Sequence, residues 1–369
     1  MIETTYMKRA LELATRGKGK VSPNPMVGAV IVKNGEIIGE GWHQQYGGLH
    51  AEREALASCV ESPAAGTMYV TLEPCCHYGK TPPCTEAVIN SGLKKVVVAT
   101  TDPNPLVAGQ GLAILKEAGI EIEVGMLAQE AKALNKFFFH YIRHKTPYVT
   151  MKYAMTLDAK IATRTGASKW ITGKEARQKV HEDRSFYQGI MIGIGTAIKD
   201  DPLLTCRIKE GRNPIRIICD SHLRLPLSSR LVETARDIPT YIATTSKDKL
   251  KAEALEAKGC NILSIVENQT GKIDLVLLMK ELGQLGVDSL VLEGGAELNY
   301  SALQAGIVSS VQAYIAPKIF GGQLAKSPVT GLGIDKVSQG ICLGEGRIGF
   351  FGDDILLEYE VMNNVYRNN

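Results

Sequence analysis

Four residues in the first half of the chain have the types and spacing of a metal site that performs hydrolysis. His50 is followed two residues later by Glu52, and Cys75 and Cys84 come downstream. One imidazole and two thiolates are typical ligands of tetrahedral Zn²⁺, and three protein ligands leave the fourth position open for water. Zn²⁺ lowers the pKa of bound water to about 7, so hydroxide is available at neutral pH. Glu52 would take the proton from that water and deliver it to a leaving group.

The surrounding sequence predicts that these residues lie at the starts of helices. His50 and Glu52 are two residues apart and cannot share one face of a regular helix, so we expect both near a first helical turn. Cys84 follows two prolines, a pattern typical of a helix start, where thiolate is favoured over thiol. A purely structural zinc site with Cys76 as fourth ligand is an alternative, although adjacent residues rarely reach one ion. Each residue by itself could have an ordinary role, the histidine at the surface and the cysteines as packed apolar groups. This alternative does not explain why all four occur in this order.

Alternating helices and strands would position this site. The first half predicts an initial helix that ends near Gly17 and a hairpin around Asn34-Gly35. Its predicted strands are 27–32, 36–41, 67–72, 95–100 and 120–124, and its later helices begin after residue 50 and span 84–91, 110–118 and 128–142. Strands that alternate with helices indicate a mostly parallel sheet covered on both faces.

A polar, proline-containing stretch at 143–147 marks the boundary between two domains, 1–145 and 146–369. The second half predicts strands 148–154, 190–194, 215–219, 240–243 and 289–292, and helices 174–187, 247–258, 274–285 and 297–305. Residues 347–361 predict two final strands around a turn at Gly352. The pattern is that of a second α/β domain.

The residues of the metal site also carry a resemblance to a known family. His-x-Glu followed by Pro-Cys is the signature of zinc-dependent cytidine and nucleobase deaminases. Eight residues, rather than the usual two, separate Cys75 from Cys84. This longer loop, with Asn24-Pro25 upstream and Asp-Pro-Asn-Pro at 102–105 downstream, resembles the bifunctional deaminase/reductases of riboflavin biosynthesis. One departure is Cys76, where that family usually has serine.

The resemblance implies the fold and the activity of each domain. Residues 1–145 would form a cytidine-deaminase-like three-layer α/β/α domain, and residues 146–369 a dihydrofolate-reductase-like α/β domain. The first would use Zn²⁺ to deaminate 2,5-diamino-6-ribosylamino-4(3H)-pyrimidinone 5′-phosphate. The second would use NADPH to reduce the ribosyl chain, which gives 5-amino-6-(5-phosphoribitylamino)uracil.

The resemblance also implies a set of polar residues around the pyrimidine and its ribose phosphate: Asn24, His43, Lys80, Thr81, Asp102 and Asn104. Amide and carboxylate groups can bind a base edge, and a loop lysine can bind phosphate. Ordinary structural roles are equally open for some of them. Asn24 and Asp102 precede prolines and would suit turns, and Lys80 would suit a solvated loop.

Two glycine turns follow apolar strands in the second half, at 193–196 and 293–296. Glycine at a strand end lets the backbone approach a phosphate, although a plain turn is the commoner explanation and the full Rossmann fingerprint is missing. The resemblance implies that the NADPH site comprises Ala154, Trp170, Thr196, Asp200, Ser221, Gly295, Ala296, Glu297, Leu298, Asn299, Tyr300 and Ser301. It implies that the reductase substrate is held by Ser168, Arg184, Leu204, Arg207 and Glu293. Guanidinium groups match phosphate, whereas solvated surface arginines are the alternative.

Composition excludes several other classes of protein. The 369 residues are 44% hydrophobic and 22% charged, which is typical of globular domains rather than disordered chains. With 42 basic and 39 acidic side chains, the chain lacks the basic excess of a nucleic-acid binder. This balance argues against a tRNA-editing deaminase, and Glu52 argues against a zinc-stabilised binding module with a nucleotide-sensing domain.

Apolar runs fall short of a membrane span, and no leader peptide is apparent. Clustered thiols favour a reducing compartment. We therefore expect a cytoplasmic homo-oligomer that binds phosphorylated pyrimidines.

Overall fold

The computed structural model describes residues 2–79, 81–104, 107–209 and 211–362. The chain forms two compact units, Met1–Lys145 and Thr146–Asn369. Within the described ranges, no helix is long and apolar enough to cross a membrane.

The first unit is a five-stranded sheet with helices on both faces, in the strand order β2-β1-β3-β4-β5. Its elements are α1 (Ile2–Thr15), β1 (Gly28–Lys33), β2 (Glu36–Trp42), α2 (Ala51–Ala57), β3 (Thr67–Val70), α3 (Cys84–Asn90), β4 (Lys95–Val98), α4 (Gln110–Glu117), β5 (Glu121–Val124), α5 (Ala128–Leu134) and α6 (Lys136–His144).

Strand β1 shows why the sheet is covered on both faces. Its run of apolar residues is buried almost throughout, as expected for a strand without a solvent-facing side. Ala29 and Ile31 pack into a cluster with residues of α2, α3 and α4. Val30 and Val32 point the other way and pack with residues of α1 and α5. The predicted three-layer α/β/α arrangement follows from this alternation.

The first sheet is mixed, because β1 pairs antiparallel with both β2 and β3, whereas β3, β4 and β5 pair parallel. The strands β2, β3, β4 and β5 therefore run in one direction, as expected for a mostly parallel sheet, and β1 runs against them. The antiparallel pairing of β1 with β2 follows from the predicted two-residue turn at Asn34-Gly35, where φ is 52° and 84°. Two positive φ values are the requirement of a type I′ hairpin, which joins antiparallel strands.

The single helix predicted over 128–142 is wrong, because the structure breaks it at Asn135. The buried Asn135 side chain accepts a hydrogen bond from the Met26 N–H and donates one to the Met26 carbonyl, both at 2.8 Å. Asn135 thereby ties the end of α5 to the segment that leads into β1.

The second unit is a nine-stranded sheet in the order β10-β9-β8-β7-β11-β6-β12-β14-β13. Its elements are β6 (Tyr148–Thr156), α7 (Lys174–Phe186), β7 (Gly189–Gly193), α8 (Ile194–Asp200), β8 (Ile215–Cys219), α9 (Arg230–Glu233), β9 (Thr240–Thr244), α10 (Lys249–Ala257), β10 (Asn261–Ser264), α11 (Leu275–Gln284), β11 (Ser289–Leu292), α12 (Ala296–Gln304), β12 (Val308–Ala316), β13 (Leu343–Phe351) and β14 (Asp354–Val361), with a short 3₁₀ helix at Val337–Gln339.

Seven strands of this sheet, from β10 to β12, run parallel, and the β13–β14 hairpin continues it antiparallel. The parallel strands therefore present their carboxyl ends at one edge. In α/β sheets this edge is where ligands bind.

Four elements of the second unit are missing from the sequence prediction: α8, α9, β10 and β12. In β12, Ser310 and Gln312 break the apolar pattern, yet both are buried. Ser310 hydrogen bonds with Thr150 at 2.9 Å, and Gln312 donates to Glu358 at 2.7 Å. Partners on neighbouring strands thus make a polar sequence compatible with a buried strand.

Candidate functional site

His50, Cys75 and Cys84 converge in the first unit. Their ligand atoms all lie within 4.8 Å of one another, with His50 Nδ1 at 3.3 Å from the Cys75 sulfur and 3.4 Å from the Cys84 sulfur. A tetrahedral Zn²⁺ with bonds of about 2.0–2.3 Å separates N and S ligands by about 3.5 Å. The nitrogen and the two sulfurs therefore fit zinc in chemistry and spacing.

Two helix starts position these ligands. His50 is the residue that precedes the first turn of α2, and Cys84 is the first residue of α3. The backbone N–H of Cys84 donates to the Cys75 sulfur at 3.3 Å. Hydrogen bonds with Cys84 and His50 lower the pKa of Cys75 although burial opposes this. Cys75 is therefore the thiol that favours the thiolate form a metal requires, whereas the same hydrogen bond, together with burial, raises the pKa of Cys84.

Glu52 lies beside this set in the first turn of α2 and is almost fully buried. Burial, together with the nearby Cys75, raises the pKa of Glu52 to about 7. A carboxyl group with a pKa near neutrality can both accept and donate a proton under physiological conditions.

Cys76 is not part of the convergent group. Among the described residues, the metal-ligating side chains that cluster here are His50, Cys75 and Cys84 alone. Burial raises the pKa of Cys76, which disfavours its thiolate. The arrangement thus offers three protein ligands, which is typical of a catalytic rather than a structural zinc site.

His43 and Asn24 form a pair next to the ligands. The Asn24 amide donates to His43 Nε2 at 3.2 Å, and His43 Nδ1 donates to the Leu49 carbonyl at 2.8 Å. The ring of His43 contacts that of His50 edge to face, with centroids 5.4 Å apart. Burial lowers the pKa of His43, consistent with a neutral ring that accepts from Asn24. Sequence reasoning missed Asn135, which holds the segment that carries Asn24.

The other predicted pyrimidine contacts lie on two loops. Asp102 is half-buried, and burial raises its pKa. Its carboxylate also accepts from the Asn104 N–H at 2.8 Å, which is the turn role left open by the sequence. Thr81, which lies between Cys75 and Cys84 in the sequence, is half-buried. Lys80 lies outside the described residues.

Sequence reasoning also missed the residue that ties down the loop between the cysteine ligands. Arg53, next to Glu52 in α2, donates to the carbonyls of Pro82 at 3.2 Å and Pro83 at 2.8 Å. The His-x-Glu motif assigns a role only to its first and third residues. The arginine that directly follows the motif was the feature of the sequence that could have indicated this contact.

In the second unit, four of the predicted NADPH residues, Ala154, Thr196, Ser221 and Gly295, lie at the carboxyl edge of the sheet. The two glycine turns follow the adjacent parallel strands β7 and β11. A Cβ built on Gly295 would lie 3.2 Å from Thr196 Oγ1, so the turns are in contact. Ser221 follows β8, and Ala154 lies near the end of β6. The first turn is shorter than predicted, since α8 begins directly after Gly193.

Other predicted NADPH residues occupy different positions. Trp170 is exposed, and the Arg177 guanidinium stacks on its ring at 4.8 Å. Asp200 ends α8, at the far end from Thr196. Asn299 is fully buried, and its amide donates to the Pro328 carbonyl at 2.9 Å. Along α12 the remaining predicted residues are Ala296, Glu297, Leu298, Tyr300 and Ser301, of which Ala296 is buried and Glu297 exposed.

Arg184 and Glu293 form a two-pronged ion pair, with both N–O distances at 2.8 Å. Lys152, which sequence reasoning missed, lies 3.9 Å from the same carboxylate. Burial alone would raise the pKa of Glu293, but Arg184 and Lys152 lower it to about 2. The guanidinium of Arg184 is thus paired with Glu293, whereas Arg207 is exposed. Ser168 is half-buried and Leu204 buried.

Comparisons with known proteins cover the whole chain. Residues 2–100 match the cytidine and deoxycytidylate deaminase zinc-binding region, and residues 147–350 match the RibD C-terminal domain. The chain is 50% identical to the riboflavin biosynthesis protein RibD of Actinobacillus pleuropneumoniae over 98% of this chain and 96% of the relative. It is 40% identical to that of Escherichia coli over 97% and 99%.

Solved structures agree with these relatives. Acinetobacter baumannii RibD is 37% identical, with a TM-score of 0.87 over 98% of this chain and 99% of that chain. A diaminohydroxyphosphoribosylaminopyrimidine deaminase/5-amino-6-(5-phosphoribosylamino)uracil reductase from Thermotoga maritima is 39% identical, with a TM-score of 0.85 over 98% and 99%.

These matches confirm the predicted fold classes, a cytidine-deaminase-like domain followed by a dihydrofolate-reductase-like domain. They also confirm an enzyme that acts on small molecules with zinc and NADPH. The chain therefore belongs to the RibD family, the bifunctional deaminase/reductases of riboflavin biosynthesis.

Proposed function

We propose that the first unit deaminates 2,5-diamino-6-ribosylamino-4(3H)-pyrimidinone 5′-phosphate and that Glu52 carries the proton of this reaction. The observation that supports this role is a buried carboxyl group in the first turn of α2, beside three convergent zinc ligands. His50, Cys75 and Cys84 would hold the ion. Zinc, when bound, supplies Lewis acidity and a nucleophile at neutral pH.

The residues of the chain then have separate tasks. Glu52 accepts a proton at its carboxylate and returns it to the departing amine, which leaves as ammonia. Asn24, positioned by His43, and Asp102 would bind the pyrimidine edge, while Asn104, Thr81 and Lys80 would bind the ribose phosphate. Burial of Glu52 keeps its protonated and ionised forms close in energy.

The second unit would reduce the ribosyl chain of the deaminated product. NADPH carries the hydride, and the carboxyl edge of the sheet would hold the cofactor at the contacting turns of Thr196 and Gly295. The buried group of Lys152 in β6, Arg184 in the last turn of α7 and Glu293 directly after β11 supplies fixed charges for the sugar. Arg207 would bind the phosphate.

The enzyme would work as a cytoplasmic homo-oligomer. β13 is an edge strand, and its Ile348 and Phe350 side chains are 63% and 73% exposed. An apolar edge of this kind favours pairing with a second copy of the chain. The thiolate ligands of the zinc site favour a reducing compartment. Balanced charge argues against nucleic acid as substrate.

Glu52→Gln tests the proton-transfer role. The substitution keeps the size of the side chain and removes its basicity, so we expect ammonia release to fall by a factor of about 10²–10⁴. Zinc content and NADPH oxidation on pre-deaminated substrate should not change. Glu54→Gln, in the same helix, is the matched control. Deamination by Glu52→Gln at close to the wild-type rate would show that another group moves the proton.

A further inference from the structure

Glu73 is a buried carboxylate that binds four backbone N–H groups of one segment. Oε2 accepts from Asp102 at 3.1 Å and Gly109 at 3.0 Å, and Oε1 accepts from Gly111 at 3.0 Å and Leu112 at 3.4 Å. The side chain is almost fully excluded from solvent. A buried carboxylate with two donors on each oxygen is fully engaged within the protein.

The donors include the free N–H groups at the start of α4. Gly109 precedes the helix and has no side chain with which to cap it, and Gly111 and Leu112 lie in its first turn. The first N–H groups of a helix have no partner within the helix, and a negative charge there is stabilised by the helix dipole. Glu73 supplies this cap from a position 36 to 39 residues earlier in the chain.

Glu73 also connects the loop that carries the zinc ligand Cys75 with the segment that begins at Asp102. It directly precedes Pro74 and the zinc ligand Cys75, and its own N–H donates to the Thr100 carbonyl at 3.0 Å. The segment that it binds begins with Asp102. A Cβ on Gly111 would lie 2.2 Å from the Pro74 carbonyl oxygen, so this segment approaches the ligand-bearing loop as closely as glycine permits.

We propose that Glu73 is a positioning residue for deamination, which holds Asp102 and Asn104 at a set distance from Cys75. This inference rests on the proposed contacts of Asp102 and Asn104 with the substrate. Glu73 acts through the backbone and touches neither substrate nor metal. Glutamine cannot replace it, because one oxygen would become an NH₂ group that donates toward two other donors.

The test uses the full-length, zinc-loaded protein with Glu73→Gln. We expect KM for the diaminopyrimidine substrate to rise by about tenfold or more, since the substrate-binding loop is displaced. The kcat of deamination should stay within about threefold, and zinc content and reductase activity should not change, because Glu52 and the three ligands keep their places. Gly111→Ala, which separates the same two segments while Glu73 remains, should also raise KM. Glu117→Gln, an exposed residue of α4, is the control.

Two results would overturn the proposal. One is an unchanged KM in Glu73→Gln, whatever the KM of Gly111→Ala. The other is a fall in kcat that matches a loss of zinc, which would assign Glu73 to the stability of the metal site. Asp102→Ala separates this inference from the proposed function: if it raises KM and Glu73→Gln does not, only the positioning role fails. A wild-type chain that releases no ammonia from this substrate refutes both.

Discussion

The ion pair of Arg184 and Glu293 makes the stability of the second unit depend on pH. Both side chains are only 14% exposed, so their interaction is weakly screened by solvent. The ordinary carboxyl pKa of 4.5 applies to the unfolded chain, whereas in the folded protein the pKa of Glu293 is about 2. The difference corresponds to about 3 kcal/mol of stability. Because the folded pKa is depressed, this stability is present above pH 4.5 and is lost as the pH falls through 2, with about 2 kcal/mol lost by pH 3.

Glu293→Gln removes the titrating group and leaves Arg184 and Lys152 buried without their counter-charge. We expect the variant to be less stable than the wild type by about 3–5 kcal/mol at pH 7. At pH 3 the difference in free energy of unfolding between wild type and variant should be smaller by about 2 kcal/mol, since Glu293 is then largely protonated in the unfolded wild-type chain. Exposed Glu297, in the first turn of α12, provides the control Glu297→Gln.

The assay must report on the second unit alone. Urea denaturation at each pH, followed by pulsed hydrogen exchange and mass spectrometry of peptides from α7 and β11, gives the free energy of unfolding of these elements. A difference between wild type and Glu293→Gln that is the same at pH 7 and pH 3 would refute the electrostatic reasoning.

Two further perturbations have equally specific outcomes. Arg207→Ala should raise the reductase KM for its phosphorylated substrate by about tenfold and leave deamination unaffected, because a charged contact with the phosphate is lost. Steady-state NADPH oxidation measures this KM, and Lys209→Ala is the control. A KM equal to that of the wild type would reject the contact. Gly28→Ala should destabilise the first unit by about 1–3 kcal/mol, since its Cβ would lie 2.0 Å from the Ala10 carbonyl oxygen. Thermal unfolding measures this against Gly79→Ala, whose Cβ meets nothing within 4 Å, and equal midpoints would contradict the packing argument.

Local patterns predicted most elements of the first unit. The turn at Asn34-Gly35, the helix after His50 and the helix that starts at Cys84 are confirmed, because each depends on residues adjacent in sequence. The direction of pairing between β1 and β3 was not predictable in this way. Nothing local to either strand encodes which neighbour it meets or in which direction.

Buried polar residues account for two further differences, the strand β12 and the break between α5 and α6. Ser310 and Gln312 interrupt the apolar pattern of β12, and their partners Thr150 and Glu358 make this polar sequence compatible with a buried strand. Asn135 looked like an ordinary helical residue, although it binds the backbone of Met26, 109 positions away. The cost of burying a polar group depends on its partner, and that partner is defined only by the tertiary structure.

The amino-acid sequence by itself determined the chemistry of this protein. An imidazole, two thiols and a carboxyl group in the order His50, Glu52, Cys75 and Cys84 point to hydrolysis at zinc, because ligand preference is a property of the atoms themselves. Only the tertiary structure decided how the site is held. The four hydrogen bonds on Glu73 and the ion pair of Arg184 with Glu293 join residues far apart in sequence. Their geometry and their pKa values arise from burial and proximity, which exist only once the chain has folded.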